Sequence, residues 1–146
     1  MKTPIRYAGG KTRAIKHITP FVIEQDKIVS PFIGGGSLEM HWTSMGKEVI
    51  GYYVFDMLAN FWNILLNKPD ELADKLSNIT PDMDTYKEIK EILMTLDKTQ
   101  DMLNDWKTDY YKRTNVISLD DVTRAAYYYF NHNTSYGPGY LGWGSS

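Results

Sequence analysis

The chain has 146 residues, enough for one domain with a real core, since a chain of this length buries about 70% of its unfolded surface. No stretch approaches the roughly 18 unbroken apolar residues of a membrane helix, no basic-then-apolar leader opens the chain, and cysteine is absent. Membrane spans, disulfide frameworks and thiolate zinc sites are therefore not expected, and the protein reads as soluble, unsecreted and cytoplasmic, or of the host cytoplasm or virion if viral.

The formal net charge of -2 argues against a broad electrostatic grip on nucleic acid, yet it leaves room for a local basic face. Lys2, Arg6, Lys11, Arg13 and Lys16 fall within the first sixteen residues with no acid among them, and the acids concentrate between Asp70 and Asp121. This segment is either a phosphate-facing patch or an ordinary solvated one. The three histidines (His17, His41, His132) have no partners at ligand spacing, so no metal is expected.

In chain order, the first motif is "IRYAGGKT" at 5–12, whose Gly-Lys-Thr ending resembles a phosphate-cradling loop. Such a loop needs a glycine five positions before Gly10 to turn backbone N–H groups onto phosphates, and it should follow a buried strand. Ile5 stands at that position and only "MKTP" precedes it, so a nucleoside triphosphate site is not expected.

"KIVSPFI" (27–33) then reads as a short buried strand, broken by "GGG" at 34–36. "SLEMHWTSM" carries apolar residues at helical spacing and stops at Gly46, a C-cap signal. "EVIGYYVF" (48–55) is β-branched and aromatic, a second strand ending at Asp56, and "MLANFWNILLN" is an apolar helix closed by Pro69. Strand, glycine loop, helix and strand make a βαβ unit, with a parallel sheet and a right-handed crossover.

Beyond Pro69 the pattern turns helical. "PDELADKLSNI" has proline at a first helical position and acids in the first turn; "DMDTYKEIKEILMTL" repeats apolar residues at helical period. "KTQDMLNDWKTDYYKR" predicts a third helix, and "SLDDVTRAAYYYF" a fourth, with Ser118 as N-cap and Asp121 at the capping-box position. "NHNTSYGPGYLGWGSS" reads as a loop. The expected division is a cofactor-type core over 1–68 and a helical subdomain over 69–146.

In a nucleoside-binding βαβ unit the glycine turn lets the ligand approach the backbone, and an acid about 20 residues on accepts from the ribose hydroxyls. Asp56 follows Gly34 by 22 positions. Glu39 stands where the third fingerprint glycine would be, which favours a nucleoside without a close pyrophosphate; S-adenosylmethionine is such a ligand. The same pattern also occurs as a plain strand-to-helix connection.

"RYAGGKTRAIKHITPF", "SPFIGGGSLEMHW", "GYYVFDMLANFWNIL" and "YYYFNHNTSYGPGY" together resemble, in order and over nearly the whole chain, the N-terminal blocks of the Dam-type (D12 class) adenine-N6 DNA methyltransferases. The resemblance implies an α/β fold: a partial Rossmann-like, S-adenosylmethionine-dependent methyltransferase core with a helical insertion that begins a target-recognition subdomain. It implies that Tyr7 and Lys11 touch S-adenosylmethionine, with Gly9 and Gly10 allowing close backbone approach and Lys11 facing the methionine carboxylate or a site acid. Phe32, Gly34 and Gly36 would shape the cofactor loop, and Asp56 would hold the ribose. Double-stranded DNA is the implied partner, with Arg6 and Arg13 of the basic segment, Asn131, Asn133 and Tyr136 as candidate contacts. The asparagines would offer amides to adenine edges and Tyr136 a stacking surface; the rival reading is an Asn-rich turn satisfying its own backbone.

Two departures stand out. Ser30 occupies the place before Pro-Phe where the family commonly has Glu. No Asp-Pro dipeptide occurs anywhere, whereas adenine-N6 transfer uses an Asp-Pro-Pro-Tyr type motif to hold the amino group and stack the flipped base. No catalytic residue is therefore assigned, and the chain alone is not expected to methylate DNA. Either it is the N-terminal part of a methyltransferase whose catalytic motif lies on a second polypeptide or was removed, or it is a degenerate methyltransferase fold serving as a structural or interaction protein in a larger assembly. A plain DNA-binding module is a third reading.

Overall fold

The structure, a computed structural model, describes residues 2–104, 118–136, 140–141 and 143–144. It divides into two compact units, 1–59 and 60–146, with the boundary inside α3, upstream of position 68.

The first unit opens with single 3-10 turns flanking a short helix, α1 (Ile15–Ile18), then runs β1 (Lys27–Ser30), α2 (Ser37–Ser44) and β2 (Glu48–Gly51) into α3 (Asp56–Asn67). β1 and β2 pair in parallel, Lys27 opposite Glu48 and Ser30 opposite Gly51, so the predicted βαβ unit is present as a mixed α/β arrangement with a small parallel sheet. Both strands are shorter than expected. Pro31, lacking an N–H, ends β1, although Tyr52 N still donates to Ser30 O at 2.8 Å and Ile33 N to Tyr52 O at 3.1 Å. β2 stops at Gly51, where an added Cβ would meet Ile33 Cδ1 at 2.7 Å.

The core of this unit is Ile28, Leu38 and Trp42, with Ile15, Ile18, Val22 and Val49 packed against it. Trp42 buries its ring but keeps its polar edge satisfied, Nε1 donating to Thr19 Oγ1 at 3.2 Å. Helix α2 ends at Ser44 and the chain reverses through Gly46 at φ +85°, a left-handed position that suits glycine.

In the second unit α4 (Pro69–Ser77) and α5 (Met83–Asn104) both pack on α6 (Asp121–Thr134). α5 is one 22-residue helix and absorbs the start of the predicted third helix. No Gly or Pro interrupts 83–104, so nothing stops its propagation; the remainder of that expectation lies outside the described residues. The N-cap of α6 is Asp120, not Ser118. Its carboxylate accepts from Thr123 N at 2.9 Å and from Thr123 Oγ1 at 2.7 Å, and these two bonds, the hydroxyl's first, hold the carboxyl below its usual range. Phe61 stacks on Tyr129 with centroids 5.6 Å apart and meets Tyr128 at 5.9 Å.

The predicted loop from Asn131 is corrected as well. α6 continues to Thr134, after which β3 (Ser135–Tyr136) pairs antiparallel with β4 (Trp143–Gly144). Asn and His are mediocre helix formers, but burial of Asn131 and His132 overrides local propensity. Among the described residues no helix is long and apolar enough to cross a membrane, and no three His, Asp or Glu side chains group as metal ligands.

Candidate functional site

The site is built on the turn that follows β1. Gly34 (φ +50°) and Gly36 (φ +72°) adopt left-handed backbone that bends the chain into α2, and Gly36 N donates to Ile33 O at 2.9 Å. Gly35 is needed for a different reason. A Cβ there would stand 2.7 Å from Tyr7 Cβ, and one on Gly34 would stand 3.3 Å from Tyr7 Cε1. The Tyr7 side chain thus lies directly against the glycine loop, and only bare backbone allows it that close.

Tyr7 is fixed from the other side. Gly10 N donates to Tyr7 O at 3.1 Å, closing the turn of the "AGGK" segment, and Gly9 takes φ +74° within it. The Tyr7 hydroxyl hydrogen-bonds the Tyr53 hydroxyl, and the two rings meet edge to face with centroids 6.4 Å apart. Partial burial, with help from Tyr53, pushes the Tyr7 phenol up to about 12, so it remains a neutral hydrogen-bonding group at physiological pH. Thr12 Oγ1 and Ser37 Oγ, 3.2 Å apart, tie the segment after Lys11 to the start of α2.

These two segments enclose a cleft of about 190 Å³. Seven of the eight expected cofactor residues line it: Tyr7, Gly9, Gly10, Lys11, Phe32, Gly34 and Gly36. Phe32 is 70% exposed rather than core. Asp56 is not among the lining residues. It opens α3 at an exposed position, five residues beyond the end of β2, where its charge complements the helix N-terminus.

Two functional candidates were not singled out from sequence. Glu39, in the first turn of α2, is 8% exposed and accepts a hydrogen bond from Ser30 Oγ. Both Glu39 and Ser30 line the cleft. A legible signal existed, an acid three residues past the glycine loop on a helix whose neighbours are apolar, but its position counted only as a missing glycine. Tyr53, the partner of Tyr7, was hidden within a strand-like run.

Arg13 lies with Lys16 and His17 along a second surface depression of the same unit, and Arg6 is exposed. In the other unit Tyr136 is 79% exposed and Asn133 half-buried. Asn131 is fully buried, and its Oδ1 accepts from Leu141 N at 2.8 Å. That amide holds the chain after β3 instead of lying at the surface.

A glycine turn after a parallel strand, a second glycine turn folded against it and a cleft lined by both a lysine and a glutamate make up this mixed α/β unit. Residues 7–137 match the D12 class N6 adenine-specific DNA methyltransferase family, and the chain belongs to that family. No curated protein and no solved structure matches the chain.

Proposed function

We propose that this chain is the S-adenosylmethionine-binding part of a site-specific DNA adenine-N6 methyltransferase, with a Rossmann-like core over its first unit and a contribution to DNA recognition from its second. The observation that carries the reading is the convergence of Tyr7, Lys11 and the 34–36 glycine loop on one cleft. The lining residues fit the cofactor: a lysine for its carboxylate, a neutral phenol, and glycine backbone that lets a ligand approach closely. Bound there, S-adenosylmethionine would supply the methyl group for transfer. Arg6, Arg13, Asn133 and Tyr136 are the proposed DNA contacts, and Asp56 the proposed ribose acceptor; Asn131 would support the recognition segment from within.

The Asp-Pro-Pro-aromatic group that positions the target amine is proposed to come from outside these residues, from a second polypeptide or further chain. The sheet supports this. Among the described residues β1 and β2 pair only with each other, while Val29, Tyr52 and Val54 around them are exposed, Val54 to 92%. Parallel strands are ordinarily buried on both faces, and this pair has room for further strands.

Titration of S-adenosylmethionine into the protein by calorimetry tests the reading, with Lys11→Ala and Asp56→Ala as variants. Micromolar binding weakened by Lys11→Ala is expected, and mixing with a chain that carries the missing motif should restore methyl transfer to adenine in DNA. A folded protein that binds no S-adenosylmethionine, alone or in such a mixture, would refute it and leave a degenerate fold with a structural or interaction role.

A further inference from the structure

We propose that Glu39, held by Ser30, is the residue that reads the ammonium group of the cofactor's amino-acid end, and that Glu39 and Lys11 together make the cleft selective for an α-amino-acid zwitterion. This inference rests on the cofactor reading above.

Glu39 carries an underpaired charge. It is buried, yet its single partner among the described residues is the Ser30 hydroxyl, on Oε1. A carboxylate has about four acceptor positions, and one neutral donor does not offset removing it from water. Oε2 has no described partner, but it is not among the polar atoms sealed from solvent. Glu39 lines the cleft, and on the proposed reading Oε2 opens into it.

The second charge is Lys11, which lines the same cleft and makes no side-chain hydrogen bond or ion pair to a described residue. Lys11 and Glu39 therefore face one cavity without pairing to each other. A lysine and a carboxylate on one small cleft would ordinarily collapse together; held apart, they are complementary to a ligand bearing an anion and a cation close together. An α-amino acid is that ligand, its carboxylate toward Lys11 and its ammonium toward Glu39 Oε2. The Ser30 bond fixes the Glu39 rotamer, so the acceptor is oriented before the ligand arrives.

A bland role for Glu39 is to complement the N-terminus of α2. An exposed acid would do that without a desolvation cost, and the role gives no reason for Ser30 to clamp one oxygen of a buried carboxylate while the other has no partner among the described residues.

The test compares two probes by calorimetry: S-adenosylhomocysteine, and its deaminated analogue, which keeps the carboxylate and the nucleoside. The wild-type protein should bind the deaminated probe about ten- to a hundred-fold more weakly, the range for losing one hydrogen bond to a charged group. Glu39→Gln, which can still accept from Ser30, should bind both probes alike, at the weaker affinity. Equal affinity of the wild-type protein for the two probes overturns the inference while leaving the cofactor reading intact. The inference fails in the same way if Glu39→Gln weakens both probes equally. No binding of either probe to the folded wild-type protein overturns both. Should Glu39→Gln fail to fold, the wild-type discrimination decides alone.

Discussion

The contact between Tyr7 and the glycine loop gives the sharpest test of how the cleft is built. In Gly35→Ala the new Cβ would sit 2.7 Å from Tyr7 Cβ and 3.3 Å from Tyr7 Cγ, the first a distance that real Cβ contacts essentially never reach. Tyr7 Cβ is one bond from the backbone, and that backbone is anchored by the Gly10 hydrogen bond, so no rotamer change relieves the clash. Overpacking of this kind costs about 1–3 kcal/mol. If Tyr7 shifts enough to lose Tyr53, a further loss of about 1 kcal/mol follows. The sum, about 2–4 kcal/mol, is a large share of the roughly 5–15 kcal/mol that holds a domain together. Gly9→Ala is the matched control: φ is +74° and nothing lies within 4 Å of the added carbon, so it carries only left-handed strain, about 1–2 kcal/mol. Urea unfolding should therefore rank Gly35→Ala below Gly9→Ala in stability, and in a Tyr7→Gly background, which removes the clashing Cβ, the Gly35→Ala loss should shrink while the Gly9→Ala loss stays unchanged. A Gly35→Ala protein as stable as Gly9→Ala, or one whose loss is the same in the Tyr7→Gly background, would refute the packing argument.

Tyr7 also predicts alkaline behaviour. Its phenol is raised from 10.0 to about 12, so its contribution to stability is intact below pH 10 and is lost as pH rises toward 12; Tyr7→Phe should flatten that part of the stability profile. Asp120 predicts the acid side, since its lowered pKa gives a contribution present above 3.8 that fades as pH falls below it. Asp120→Ala should cost about 1 kcal/mol at neutral pH, the usual value of an N-cap, and less in strong acid, where the carboxyl is neutral and a weaker acceptor, as urea midpoints would report. Asn131→Ala should destabilise by about 1–3 kcal/mol, because it strips Leu141 N of its buried acceptor. Tyr136→Ala, at an exposed position, should stay within about 0.5 kcal/mol of wild type while lowering DNA affinity in a gel-shift titration.

Much of the cleft was legible because its chemistry lies in local sequence. Glycines at 34 and 36 announce left-handed backbone, and an aromatic followed by Ala-Gly-Gly-Lys announces a tight turn with a cation; both turned out to line one cleft. What the sequence hid was pairing across distance. Nothing near Gly35 in the sequence says that Tyr7, 28 positions earlier, will lie on it. The burial of Glu39 is invisible until β1 brings Ser30 against α2. Asp56 shows the opposite case: the β-branched and aromatic run 48–55 reads as a strand that ends at this acid, but Gly51 closes the ladder early and the acid heads a helix. At the other end, "NHNT" had turn composition, yet tertiary burial drew it into α6. Local propensity lost wherever packing supplied the larger free energy.

The size of the cleft bears on how its residues divide their work. At about 190 Å³ it falls below the roughly 300–1,000 Å³ usual for ligand pockets. On the proposed reading, this volume accommodates the polar amino-acid end of the cofactor, where Lys11, Glu39 and Ser30 lie, better than the whole nucleoside. Affinity in this chain would then come from charge complementarity more than from apolar enclosure, and such contacts weaken with added salt where they remain solvent-accessible. Further strands laid beside β1 and β2 would change that balance. With the helices that cross over between them, they would cover exposed side chains such as Val29, Tyr52 and Val54 and lower the effective dielectric around both charges, which strengthens each charged contact. A partner that completes the sheet should therefore tighten cofactor binding and reduce its salt dependence together, without touching the cofactor itself. A partner that supplied only a catalytic loop would change neither.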